Sequence, residues 1–173
     1  GFSLYRKLDF HEEYQLQRME GRPPAQALPH EAQPMQQADL AEIGAWDQAV
    51  FGAARSAVLA WLLAGAPELC WVVRQAGRLR GYVFGRRGHR FVHLGPVVAT
   101  AERAAQQLVT ACFASASAQP LILDVPQQHE RWLQWLGQQG FREQRPLLRM
   151  FRGRHSFPGQ VANQFAILGP EFG

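Results

Sequence analysis

The sequence predicts a mixed α+β fold, and three observations carry the prediction. Two apolar helical segments precede an antiparallel hairpin in the middle of the chain, and a strand–helix–strand–helix–strand rhythm closes it. Parallel strands joined through a helix make a right-handed crossover. The expected sheet is mixed and mostly antiparallel, with one parallel pair.

The elements follow in order. Residues 2–8 read as the last turns of a helix and residues 10–19 as a strand. Gly21-Arg22-Pro23-Pro24 to Pro29 reads as linker, because its prolines continue neither element. A short strand is expected around residues 30–35. From Ala38, the spacing of Leu40, Ile43, Trp46 and Val50 is helical; Gly52 interrupts, and a second apolar helix runs from Ala54 to Ala64. Leu69–Val73 and Arg80–Arg86 flank the turn Gln75-Ala76-Gly77-Arg78, and Phe91–Val98 forms a third strand. An alanine-rich helix over 101–116 leads to the apolar strand Pro120–Val125. The amphipathic helix Gln127–Gln139 carries Trp132, Trp135 and Leu136 on its core side, and strands return at 141–151 and 164–168.

One phrase is written twice. Phe10-x-Glu12-x-x-x-Leu16-x-Arg18-Met19 reappears 131 positions later as Phe141-x-Glu143-x-x-x-Leu147-x-Arg149-Met150. The second copy closes a body of residues, whereas the first opens the chain. The expected organisation is a tail of a first domain over 1–21, a linker over 22–34 and a second domain over 35–173. The strand around Glu12–Met19 is then an edge awaiting a partner, either the first domain or another copy of the chain.

The composition narrows the class. Apolar residues make up 47 %, and no apolar run reaches the roughly 20 residues that span a bilayer. Cys70 and Cys112, both in apolar runs, read as buried thiols of a cytoplasmic protein, and no Cys/His spacing suits zinc. Lys7 is the one lysine, so the net charge of +4 rests on arginine, which suits phosphate and carboxylate ligands or reflects coding bias. The arginines are scattered apart from Arg86, Arg87 and Arg90, which argues against nucleic acid.

The element order resembles the GNAT superfamily of acyl-CoA-dependent N-acyltransferases. Leu4-Tyr5-Arg6-Lys7-Leu8-Asp9-Phe10 looks like that superfamily's closing signature, with Asp9 where glycine is usual. Gly140-Phe141 holds the same place in the second copy. The block from Asp47 through Phe51-Gly52 to Arg55, the Gly95–Ala99 strand and Asp124-Val125-Pro126 look like the second domain of a tandem GNAT subfamily. The resemblance implies a sheet with one splayed parallel pair and helices on both faces. It also implies acetyl-CoA as cofactor, its pantetheine arm pairing with the backbone of the first splayed strand and its pyrophosphate on the next helix N-terminus. Mapped here, the resemblance implies that Val97, Val98, Ala99, Thr100, Ala101 and Arg103 bind the coenzyme. The resemblance implies as acceptor an amine of a small molecule or protein, which attacks the thioester directly.

Two departures stand beside this resemblance. The segment Thr100–Ala105 lacks the glycines usual in the pyrophosphate loop, and Glu102 lies within it. Tyr5 matches the usual acid, but its counterpart in the second copy is Leu136. A non-catalytic module that binds acyl-CoA or a small ligand, or supports a catalytic partner, is the alternative to an N-acetyltransferase. Phe51 and Arg55 are candidate substrate residues: Arg55 either clamps a carboxylate or forms a structural pair with Asp47. Asp124 either orients an amine or caps the helix that follows it, and His129 reads as solvated. No Ser/His/Asp or Cys/His arrangement for covalent catalysis emerges.

Overall fold

The computed structural model describes residues 2–22, 29–116, 119–154 and 159–172; residues 23–28 of the expected linker therefore lie outside the described residues. In chain order the elements are α1 (Phe2–Lys7), β1 (Phe10–Gly21), β2 (Gln33–Pro34), α2 (Leu40–Phe51), α3 (Ser56–Gly65), β3 (Trp71–Gln75), β4 (Arg78–Arg87) and β5 (Val92–Ala99). Then come α4 (Glu102–Ser115), β6 (Leu121–Pro126), α5 (Glu130–Gln138), β7 (Arg142–Arg152) and β8 (Gln164–Ala166). The mixed, mostly antiparallel sheet runs β2-β3-β4-β5-β6-β1-β7, and β8 pairs with β5. The parallel pair is β5 with β6.

Alternation along the strands sends side chains to two cores, one on each face. Val72, Tyr82, Phe84 and Val98 meet Ile43, Val50, Leu59 and Leu62 of α2 and α3. Val73, Val83, Val97 and Leu123 meet Leu108, Cys112 and Phe113 of α4 and Trp132 and Leu136 of α5. Helices thus flank the sheet on both sides. Gly52 ends α2 in a left-handed conformation (φ 94°), its N–H bonded to Gln48 O at 2.9 Å. Ala76 and Gly77, both at positive φ, make the β3–β4 hairpin turn. Cys70 and Cys112 are buried free thiols, and burial pushes Cys70 up to about 12. Among the described residues no helix is long and apolar enough to cross a membrane.

The placement of β1 corrects the expectation of an unpaired strand. It lies inside the sheet, antiparallel to β6 from Leu16↔Pro126 to Gly21↔Leu121, and antiparallel to β7 from Phe10↔Arg152 to Glu20↔Arg142. From Leu16 to Glu20 both its edges are used within the chain, so that stretch is no free edge for another copy. Gly21 permits the close fit at its end: a Cβ there would stand 2.7 Å from the Phe141 ring.

Candidate functional site

β5 and β6 pair only at Val92↔Leu121 and His93↔Ile122 and then part. The opening between them is filled by the chain's own β8. Val97 faces Ala166 and Val98 faces Gln164, while on the other side Ile167 N–H donates to Asp124 O at 2.9 Å. α5 holds this wedge in place. Trp132 Nε1 donates to Phe165 O at 3.0 Å, and the His129 ring stacks on Phe165 at 4.5 Å. His129 is thus half-buried, not solvated as its sequence position suggested. Gly95 allows the closest approach, since a Cβ there would sit 2.0 Å from Ile167 O. Phe165, Ala166, Ile167 and Leu168 are all buried.

Asp124 lies at the fork and is fully buried. Arg18 of β1, its register partner, grips it through Nε–Oδ1 at 2.7 Å and Nη2–Oδ2 at 2.8 Å. His93 Nε2 stands 3.2 Å from Oδ2. Arg86 approaches His93 Nδ1 at 3.0 Å and can only donate, so Nδ1 accepts and Nε2 carries the hydrogen towards Asp124. Burial alone would raise the Asp124 carboxyl; the bonds from Arg18, with His93 close beside them, overcome it and hold the group at about 2. Asp124 therefore locks β1 to β6, a role that leaves its carboxylate oxygens engaged rather than capping the next helix.

A second polar cluster lies under α2. Arg55 forms the buried pair with Asp47, at 2.7 Å from Nε and 2.9 Å from Nη2, and Tyr82 donates to the same carboxylate at 2.7 Å. Burial, with the Asp47 charge, pushes the Tyr82 phenol well up. The Arg55 guanidinium stacks on Phe51 at 3.9 Å, and Arg149 stands 5.4 Å from the same ring. Arg149 in turn pairs with Glu13 at 2.9 Å and donates to Tyr14 Oη at 2.8 Å, and Tyr14 donates to Gln164 Oε1 at 3.3 Å. Burial raises the Tyr14 phenol as well, against the pull of Arg149. Phe51 and Arg55 thus come together, tied through Arg149 and Tyr14 to β8.

Thr100, Ala101 and Arg103 come together elsewhere. They line an open cleft of about 510 Å³ at the α4 N-terminus, with Arg74, Arg80 and Gln107. Arg80 Nε is buried there without a hydrogen-bond partner, and Ala101 at the N-cap supplies no side-chain bond. Arg74 is neutralised by Asp39 at 2.7 Å and Glu42 at 2.8 Å. Glu102 accepts from Gln106 at 3.0 Å and lines a neighbouring cleft with Gln128–Trp132. Sequence reasoning missed Arg18, Tyr14, Arg80, Tyr82, His93, Arg149 and Gln164. Of these only Arg18 and Arg149 carried a signal, as members of the repeat.

A family model described as an acetyltransferase (GNAT) domain matches residues 43–166. The chain belongs to the GNAT family. An uncharacterized N-acetyltransferase of Bacillus subtilis, YitH, is 25 % identical over 177 residues, which cover all of this chain and 62 % of the relative. A putative acetyltransferase from Pyrococcus horikoshii shares the fold at TM-score 0.74 and 19 % identity, covering 98 % of this chain and 55 % of that one. A GNAT protein from Novosphingobium aromaticivorans shares it at 0.66 and 15 %, covering 84 % and 69 %. The chain thus spans about three fifths of the curated relative and just over half of the archaeal protein. A GNAT fold is consistent with acetyl-group transfer in general. The fit to a coenzyme is divided here: the cleft at α4 has donors suited to phosphate, while the backbone expected to receive a pantetheine arm is already paired with β8.

Proposed function

We propose that this chain serves an N-acetyltransferase that moves an acetyl group from acetyl-CoA directly to an amine of a small molecule or protein, and that its own module is the supporting half. The observation that carries this reading is β8 in the opening between β5 and β6. A coenzyme arm pairing with Val97–Ala99 would have to expel a strand whose side chains are buried and whose backbone is bonded on both sides. The second copy also has Leu136, fully buried, where the first has Tyr5, and a leucine protonates nothing. Transfer then takes place in a companion module, and residues 1–21 would be that module's tail, as the tandem organisation implies.

A second reading, in which this module itself binds acetyl-CoA once β8 withdraws, is favoured by the cleft of Thr100, Ala101, Arg80 and Arg103. Calorimetry separates the two. Acetyl-CoA and adenosine 3′,5′-bisphosphate, which has phosphates without the arm, are titrated separately into the chain. The supporting role predicts equal affinities and no thiol release from acetyl-CoA in the presence of amines. Acetyl-CoA binding about tenfold tighter than the bisphosphate, a gain of about 1.4 kcal/mol from the arm, or turnover by this chain alone, would establish the second reading instead.

A further inference from the structure

The repeated phrase has a symmetry in space. β1 and β7 are antiparallel neighbours, and Leu16 faces Leu147, its own counterpart 131 positions on. A local two-fold axis passes through that pair. The remaining register obeys it: Glu12↔Met150 and Met19↔Glu143 are one contact seen twice, as are Tyr14↔Arg149 and Arg18↔Arg145, and His11↔Phe151 and Glu20↔Arg142. The two register shifts, at Glu13 and at its counterpart Gln144, are related in the same way. The turns entering the two strands also match. Asp9 has φ 62° and its counterpart Gly140 has φ 86°.

The axis relates more than the two strands. On its other side β1 pairs with β6, from Leu16↔Pro126 to Gly21↔Leu121. The image of that pairing falls on the outer edge of β7, at Leu147–Arg152, where the sheet formed by the described residues ends. Pro146 does not forbid it. Its counterpart Gln15 uses its carbonyl to accept Gln127 N–H at 3.0 Å, and proline keeps that carbonyl. α1 has an unmet surface of its own. Its counterpart α5 buries Leu136 completely and packs Trp135 on the core, whereas the matching Tyr5 and Leu4 of α1 are 48 % and 59 % exposed, and Leu8 beside them is 49 % exposed.

We infer that the outer edge of β7 and the apolar side of α1 are two parts of one interface, whose partner is a second module of this same fold, the one that α1 and β1 close. Each module lends the other a strand: β1 enters this sheet beside β6, and β7 enters the partner's sheet beside the partner's equivalent of β6. Another copy of this chain does not fit, because β1 already covers β6 in every copy. The partner must have that strand bare, which is the state of a module whose own closing strand has been given away. The inference is independent of which module performs transfer.

Hydrogen exchange tests it. The 173-residue chain is compared with the longest polypeptide its gene encodes, each also carrying the double substitution Leu4→Glu and Leu8→Glu. In the longer protein, exchange at the outward amides of Leu147–Arg152 should slow by about 100-fold or more. The double substitution should lower its melting temperature by about 5 °C or more while leaving the shorter chain within about 1 °C. Equal exchange in the two proteins overturns the inference, as does an equal effect of the substitutions. A gene encoding no GNAT module ahead of Gly1 also overturns it, as does protection of that edge by self-association of the shorter chain.

Discussion

Gly95→Ala tests whether β8 belongs in the opening between β5 and β6. Gly95 does not occupy the left-handed region, so alanine brings no backbone strain, only a methyl group. That methyl would lie 2.0 Å from Ile167 O and 3.2 Å from Leu168 Cα. Real Cβ atoms essentially never approach closer than 3.0 Å, so the two backbones must part by at least about 1 Å. Complete withdrawal of β8 forfeits the Val97, Val98 and Asp124 backbone pairings at about 1 kcal/mol each, and exposes Phe165, Ile167 and Leu168 at about 1.5–3 kcal/mol each. Overpacking with local displacement costs about 1–3 kcal/mol and is the cheaper response. The expected loss is about 3 kcal/mol, or about 6–12 °C in melting temperature for a chain of this size. Thermal unfolding measures it, and hydrogen exchange at Ala166 and Ile167 should rise in parallel. An unchanged melting temperature with unchanged protection of those amides would refute the placement of β8.

Two further predictions concern β1. Asp124 is held at about 2 against 3.8, so it contributes about 2 kcal/mol that is fully present above the unfolded value and is lost as pH falls from about 4 towards about 2. Asp124→Asn lacks this dependence; the urea-unfolding gap between wild type and variant should therefore narrow by about 2 kcal/mol between pH 7 and pH 2, and a constant gap would count against the buried Arg18–Asp124 lock. Asp9→Gly removes a left-handed non-glycine residue, which costs about 1 kcal/mol, and should raise the melting temperature by about 2–4 °C; a decrease would show that the turn is not left-handed.

Local signals made most of the fold legible. Proline and glycine marked the ends of α3 and the β3–β4 hairpin, and the apolar run Leu121-Ile122-Leu123 announced a strand covered on both faces. The structural pairing of Asp47 with Arg55 could be weighed because eight residues separate them across one helix break. Partners more than a hundred positions apart left no such trace. Nothing around Arg18 says that its guanidinium meets Asp124, and nothing in Gln164–Leu168 says that this strand runs between β5 and β6 rather than along an edge. Register between distant strands is decided by packing. The short β8 presents the same apolar pattern wherever it docks. The repeat was the exception, because two copies of one phrase announce a relation even when their separation hides its geometry.

The strand nearest the start of the chain is among the last that the sheet can accept. β1 leaves the ribosome well before its neighbours β6 and β7, which begin at residues 121 and 142. Until they are synthesised, its donors and acceptors have no ladder to join. Such non-local pairing slows folding, because a long loop must close before any contact rewards it. Moving residues 1–21 behind residue 173 in a circular permutant would leave only β8 and α1 between β7 and β1 and so shorten the loop that their pairing must close. Refolding of that permutant, set against the native order, would show how much of the folding time goes into closing that long loop.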